Sequence, residues 1–256
     1  YTAVNADGVL AKAREFADKG VPVRWFMIDD GWLSVHEEAL TSFEADSTRF
    51  PEGLRPVVEA LETEYGVRHV GVWHALGGYW AGVHPDSPLA AEFSNHLLAT
   101  TSGRRISHPI TGIQFWTAWY ERLRRQGIGM VKVDGQSGLK HQCAGTLPAV
   151  VTAAGSLGVN EAAIAHAFGG RAIHCMGMSN ETLWGHAAAA VVRNSNDFVP
   201  DDEANFAELA LENPYNALLN GLLYHTDWDM FWTRHPHAVS HAVLRAVSGG
   251  PVYVSD

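Results

Sequence analysis

Lys132 and Asp134 stand two residues apart in the run Met130-Val131-Lys132-Val133-Asp134-Gly135-Gln136. A strand alternates its side chains with period two, so both would project from the same side of its carboxyl end. A cation beside a carboxylate keeps it ionised, which suits an aspartate that attacks as the anion. A structural ion pair at a strand end is the plain alternative. A second candidate is Asp197, four residues after Arg193 and followed by the apolar Phe198-Val199. With no adjacent lysine it suits a proton carrier, although a close arginine would pull its pKa down. Two carboxylates in different environments are the requirement of retaining glycoside chemistry, one attacking and one protonating the leaving oxygen. Arg193 and Asp197 also fit a structural ion pair.

The elements that must hold these residues alternate along the chain. Helices are expected over residues 5–19, 54–65, 113–125, 147–168, 213–223 and 236–247, from apolar stripes, caps and terminal glycines. Strands are expected over 24–28, 67–73, 131–134, 171–176, 190–193, 226–231 and 252–254. Seven strands alternating with helices point to a parallel sheet with crossover helices. Five of them end on polar residues: Asp29/Asp30, His74, Asp134, His174/Cys175 and Arg193. A (β/α)8 TIM barrel builds its site from such strand ends. The α/β barrel is expected to lack its first strand and last helix, with residues 1–256 as a single catalytic barrel domain cut from a longer protein. A doubly wound sheet is the other option, but no G-x-G-x-x-G opens a helix.

The chain has 256 residues and 46% hydrophobic residues, enough for one such core. Its formal net charge of −10 argues against nucleic acid or an anionic membrane as partner. No apolar run reaches the roughly 20 residues that span a bilayer. Cys143 and Cys175 are the two cysteines and make no disulfide framework, so a reducing, cytoplasmic setting is the simplest reading. Among nine tryptophans, Trp32, Trp73, Trp80, Trp228 and Trp232 sit beside or near glycines or acids, where a ring can stack on a sugar or simply fill core.

Six motifs read together in order: Phe26-Met27-Ile28-Asp29-Asp30-Gly31-Trp32; Gly71-Val72-Trp73-His74 with Gly78-Tyr79-Trp80; Val131-Lys132-Val133-Asp134; Arg193-Asn194-Ser195-Asn196-Asp197-Phe198; Asp227-Trp228-Asp229-Met230-Phe231; and Gly249-Gly250-Pro251-Val252-Tyr253-Val254-Ser255-Asp256. The set resembles the raffinose synthase and seed-imbibition group of α-galactosidases, glycoside hydrolase family 36. The resemblance implies a (β/α)8 catalytic barrel that hydrolyses or transfers α-galactosyl groups with retention, on a galactoside substrate, with no metal and no other cofactor. It implies Asp134 as nucleophile and Asp197 as acid/base. Lys132 would contact the galactose hydroxyls, Asp29 and Asp30 the 4- and 6-hydroxyls, Arg193 those near the reacting carbon, and Cys175 would face the 2-hydroxyl. Trp73 and Trp228 complete the substrate-binding set. Plant members commonly carry two acids where this chain has Asn196-Asp197, so the acid/base falls on Asp197.

The main reading is a retaining α-galactosidase acting on raffinose-type substrates. The alternatives are a galactosyltransferase in which a sugar replaces water, a metal-dependent amidohydrolase barrel using Lys132, His174 and Asp256, and a sugar-binding barrel without turnover. The fourteen histidines invite a metal reading. His237 and His241 have i, i+4 spacing but lie on an amphipathic helix, where solvent-facing or packing roles are expected.

Overall fold

The computed structural model describes residues 4–256. Helix α1 (Ala6–Asp18) starts where Asn5 accepts the Gly8 amide at 2.8 Å. Strand β1 (Trp25–Ile28) follows, then a hairpin of β2 (Leu33–His36) and β3 (Ala39–Ala45), then α2 (Arg55–Tyr65), closed by Gly66 in the left-handed region. Strand β4 (His69–Ala75), α3 (Pro88–Glu92) and a ribbon of β5 (Leu97–Ala99) and β6 (Arg105–Ser107) lead to α4 (Ile113–Arg125). Then come β7 (Met130–Asp134), α5 (Leu139–Gln142), α6 (Ala149–Phe168), β8 (Ala172–His174) and β9 (Val191–Arg193). The chain continues through α7 (Glu203–Asn220), β10 (His225–Asp227) and α8 (Ala238–Ser248).

Six strands form one sheet in the order β1-β4-β7-β8-β9-β10, every pair parallel. The register sorts the side chains. Trp73 is opposite Lys132 and Ala75 opposite Asp134; Ile173 is opposite Lys132 and Val191; Asp227 is opposite Arg193. These residues and those two positions on from them share one face. Val133, His74 and His174 share the other. That outer face packs on helices. His74 lies among Trp116, Trp119 and Tyr120 of α4, with ring centroids 4.9, 5.0 and 5.7 Å away.

Three expected elements differ. The 252–254 strand is reduced to one bridge, Val254 to Phe231, after Pro251, which has no N–H for a ladder. The 226–231 strand stops at Asp227, because Asp229 turns the chain with φ 64°. Helix α7 begins ten residues before the expected 213. Asp202 caps it by accepting the Ala204 amide at 2.9 Å, and Pro214 lies inside it. Among the described residues no helix is long and apolar enough to cross a membrane.

Two buried histidines set an acid limit on stability. Burial lowers the pKa of His74 and of His241 to about 4; Arg245 and the neighbouring His235 and His237 push His241 the same way. Between pH 6.5 and about 4 the unfolded chain therefore binds protons that the folded chain refuses. The urea midpoint should fall steadily as pH drops through that window, and His74→Gln should flatten the fall. A midpoint constant from pH 7 to 5 would contradict this.

Candidate active site

Asp29 leaves the end of β1 toward the inner face. One carboxylate oxygen accepts the Asp30 amide at 2.8 Å and the other accepts Lys132 Nζ at 2.8 Å. Burial pushes the Asp29 pKa up, but Lys132 outweighs it and holds the carboxyl below its usual range. Lys132 is likewise disfavoured by burial yet held above its usual value, chiefly by Asp29. The pair is therefore ionised.

The expected Lys132–Asp134 pairing is replaced by this Lys132–Asp29 bridge. The two side chains share a face as the spacing required, but the ammonium reaches past β4 to the end of β1. Asp134 instead accepts Trp73 Nε1 at 3.0 Å and the Gly135 amide at 2.6 Å. Gly135 itself sits at φ 68°, in the left-handed region where glycine is at ease, and turns the chain away from the strand end. Both of these donors are neutral, and they fix the carboxylate in place. Asp30 is held by Tyr79 Oη at 2.8 Å and Trp80 Nε1 at 3.0 Å. Trp73, Tyr79 and Trp80 pack together, with Trp73 and Trp80 rings 5.0 Å apart and Trp80 partly exposed. They make an aromatic wall beside Asp30 and Asp134.

Arg193, fully buried, organises the opposite side. Its Nε donates to Asp227 at 3.1 Å and its Nη1 to Asp197 at 2.9 Å, while Nη2 stands 2.6 Å from Asp229. Tyr253 Oη donates to Asp227 at 2.9 Å and Asp229 at 3.3 Å. One guanidinium is thus shared by three carboxylates. Asp227 and Asp229 are completely buried, whereas Asp197 keeps 57% of its side chain exposed. Loss of hydration raises the Asp197 pKa; Arg193 opposes this, and repulsion from Asp229 and Asp134 adds to it, leaving the carboxyl above its usual value. A close arginine therefore does not silence this acid. Asn196 points away, its amide nitrogen on Glu208 of α7 at 2.8 Å.

Cys175 follows β8 on the inner face and is fully buried. Burial pushes its thiol well up, with Arg193 and Lys132 opposing and Asp134 and Asp197 adding. It is a neutral thiol among charged groups. The inner face thus presents an aromatic wall opposite fixed donors and acceptors: the ionised Lys132–Asp29 bridge, the braced Asp134 carboxylate and, at the mouth, the second acid Asp197.

The chain matches the sequence family described as raffinose synthase or seed imbibition protein Sip1, over residues 1–51 and 42–256. It belongs to that family. A galactinol–sucrose galactosyltransferase of Oryza sativa is 31% identical over 309 residues, covering 100% of this chain and 39% of its own length. Probable galactinol–sucrose galactosyltransferase 6 of Arabidopsis thaliana is 28% identical, covering 100% and 39%. Stachyose synthase of Pisum sativum is 28% identical, covering 86% and 29%. This raffinose synthase-family chain thus spans about two fifths of the length of the relatives that match it throughout. Among solved structures, the α-galactosidase of Thermus thermophilus in complex with stachyose superposes with a TM-score of 0.64 at 20% identity, over 95% of this chain and 56% of that one. The α-galactosidase I of Mortierella vinacea gives 0.62 at 17%, over 98% and 63%. At those identities the likeness shows the fold: the six parallel strands and their helices are barrel architecture of the (β/α)8 type.

Of the residues singled out from this family's motifs, Asp29, Asp30, Trp73, Lys132, Asp134, Cys175, Arg193 and Asp197 come together. Trp228 does not join them by its polar edge: its indole N–H is used by Thr226 Oγ1 at 3.0 Å. The amidohydrolase set is not assembled. Lys132 faces inward, His174 outward, and Asp256 caps a turn by accepting the amides of Thr233 and Arg234. Asp227 and Asp229, quoted above only within a motif, are partners of Arg193. Their i, i+2 spacing at a strand end was the available signal. Tyr79 and Tyr253 lie within the quoted motifs, but nothing in their local spacing pointed to a carboxylate partner. His237 stacks on Phe206 at 4.4 Å, a packing role. Among the described residues two clusters could hold a metal ion: His36, Glu37 and His84 at the surface, and the buried Glu161, His174 and His186. Neither lies on a spacing that a linear reading detects.

Proposed function

We propose that this chain carries the α-galactosyl-transferring site of its protein, working with retention through an aspartate ester, and passing the galactosyl group to a sugar hydroxyl. The observation that supports it most is the pair of carboxylates in unlike settings on one inner face. Asp134 is braced by two N–H groups. Asp197 stands at the mouth with a raised pKa.

In this reading Lys132, Asp29 and Asp30 fix the hydroxyls of the galactosyl ring, Trp73 lies along it, and Arg193 and Cys175 face the side nearest the reacting carbon. The Asp134 carboxylate attacks the anomeric carbon. The bond to the departing oxygen breaks as Asp197 gives that oxygen its proton. A galactosyl–Asp134 ester remains. Asp197, now the carboxylate, takes the proton of an incoming hydroxyl, whose oxygen attacks the same carbon and releases Asp134. Two inversions give net retention. No step in this sequence asks for a metal or an organic cofactor.

The relatives' names favour a sugar acceptor over water, so the α-galactosidase reading becomes the second one. The two share every residue above and differ only in what enters after the ester forms. With a galactosyl donor such as galactinol and sucrose as acceptor, the trisaccharide should exceed free galactose. Free galactose as the main product at high sucrose would favour hydrolysis.

Asp197→Asn should lower turnover by about 10²–10⁴-fold on a donor with a poor leaving group. Ester formation from an aryl galactoside, whose leaving group needs little protonation, should suffer far less. In the wild type, activity should decline as pH rises through the raised Asp197 value, because the protonated form is the competent one. Equal losses on both donors with an unchanged pH profile would remove Asp197 from this role.

A further inference from the structure

We propose that Glu161, His174 and His186 bind one divalent transition-metal ion, of the zinc type, in the outer layer of the barrel. The three come from separate places: Glu161 from the middle of α6, His174 from the outer face of β8, and His186 from the connection between β8 and β9. All are buried, at 4%, 0% and 5% exposure. Their donor atoms lie within 4.8 Å of one another.

Three of the buried polar atoms without a hydrogen-bond partner are the ones that converge here: Glu161 Oε1, His174 Nε2 and His186 Nδ1. The first two touch as an ion pair but outside hydrogen-bond geometry. His186 Nδ1 has no partner and Glu161 Oε1 and His174 Nε2 have only each other, so one cation among the three would take up a lone pair from each and satisfy the buried imidazole nitrogen left alone. The surrounding contacts resemble those of a metal site. His186 Nε2 lies 3.0 Å from the Gly177 carbonyl, which fixes its N–H there and leaves the Nδ1 lone pair facing inward. The second oxygen of Glu161 takes the Ala188 and Ala189 amides. His174 Nδ1 is 2.7 Å from the Gln136 side-chain amide. Turning that amide over would let the orphaned Gln136 Oε1 accept from His174 Nδ1–H and free Nε2 for the metal, at the cost of the 3.1 Å bond to the Val133 carbonyl. Gly177 is required for this closeness: a Cβ there would stand 2.8 Å from His186 Nε2.

Two imidazoles and one carboxylate select zinc and its neighbours over magnesium or calcium, which prefer all-oxygen shells. The location suggests what the ion does. The connection from Cys175 to Ala190 contains no α-helix, only the short turn Leu183–Gly185. A metal would tie that connection to α6 and β8, and so steady the segment that begins at Cys175. The site faces away from Lys132 and Asp134, so this inference stands or falls independently of galactosyl transfer.

The test is metal analysis of the protein purified without chelator or added metal, followed by cobalt substitution. About one zinc per chain is expected, falling below about a tenth in Glu161→Gln and in His186→Ala. His36→Ala/His84→Ala, which removes the exposed cluster, should keep its metal. Because either buried variant could misfold, the wild type decides independently. After dialysis against chelator its unfolding temperature should drop, and one equivalent of zinc should restore it. One equivalent of Co2+ should develop the visible absorption of a low-symmetry site. Metal below a tenth of an equivalent with no thermal response to zinc would overturn the proposal. So would metal that disappears with His36 and His84 but survives loss of His186, an adventitious surface ion only.

Discussion

Replacing Asp134 by alanine is expected to cut turnover by about 10⁴-fold or more, the scale on which loss of a nucleophile is felt, with the fold retained. The fold should survive because the carboxylate's partners are modest: the Trp73 indole and the Gly135 amide lose an acceptor at the edge of an otherwise apolar wall. The vacated space borders the anomeric carbon in the proposed pose. Added azide should therefore restore part of the turnover on an activated galactoside and yield the galactosyl azide of inverted configuration. Asp134→Asn should be as inactive but unresponsive to azide, since its amide still fills the space. Near-normal turnover by the alanine variant would take Asp134 out of the nucleophile role. Inactivity accompanied by loss of cooperative unfolding would make it a structural residue.

The second large effect concerns stability. Arg193→Leu should cost about 3–5 kcal/mol, the usual penalty for stranding buried charge. Asp227 and Asp229 are fully buried and share this guanidinium; their other donors, Tyr253 Oη and the amides of Asp229 and Phe198, are all neutral. Urea unfolding of the two proteins at pH 7.5 measures the loss. A loss under about 1 kcal/mol would mean that Arg193 is not what allows these carboxylates to be buried.

The features the sequence made legible are those that period and spacing control. Lys132-x-Asp134 lies on the inner face because strand residues two apart share a face, whereas Asp229 reaches Arg193 from the turn after β10. The alternation of strands and helices gave the barrel type and five of the strand ends. Interactions between distant strands were not legible. Lys132 pairs with Asp29 103 residues away, a choice made by the β1-β4-β7 order and not by local spacing. The β2–β3 hairpin was missed because its turn uses Glu37 and Glu38 at φ 48° and 61°, where glycine or asparagine would have marked it. Helix α7 was read short because Pro214 sits inside it. The Glu161–His174–His186 cluster joins a helix, a strand and a loop, and only the packed molecule brings them together.

The central claim is that Asp134 carries the galactosyl group between donor and acceptor. It is tested most directly by trapping that ester with a slow-turnover fluorinated galactosyl fluoride, digesting the protein and locating the adduct by mass spectrometry. The account predicts one galactosyl adduct per chain, on the peptide containing Met130–Asp134 and assigned to Asp134, in a protein whose acid/base Asp197 is intact. An adduct on Asp29 or Asp197, or product of inverted configuration with no adduct, would contradict it.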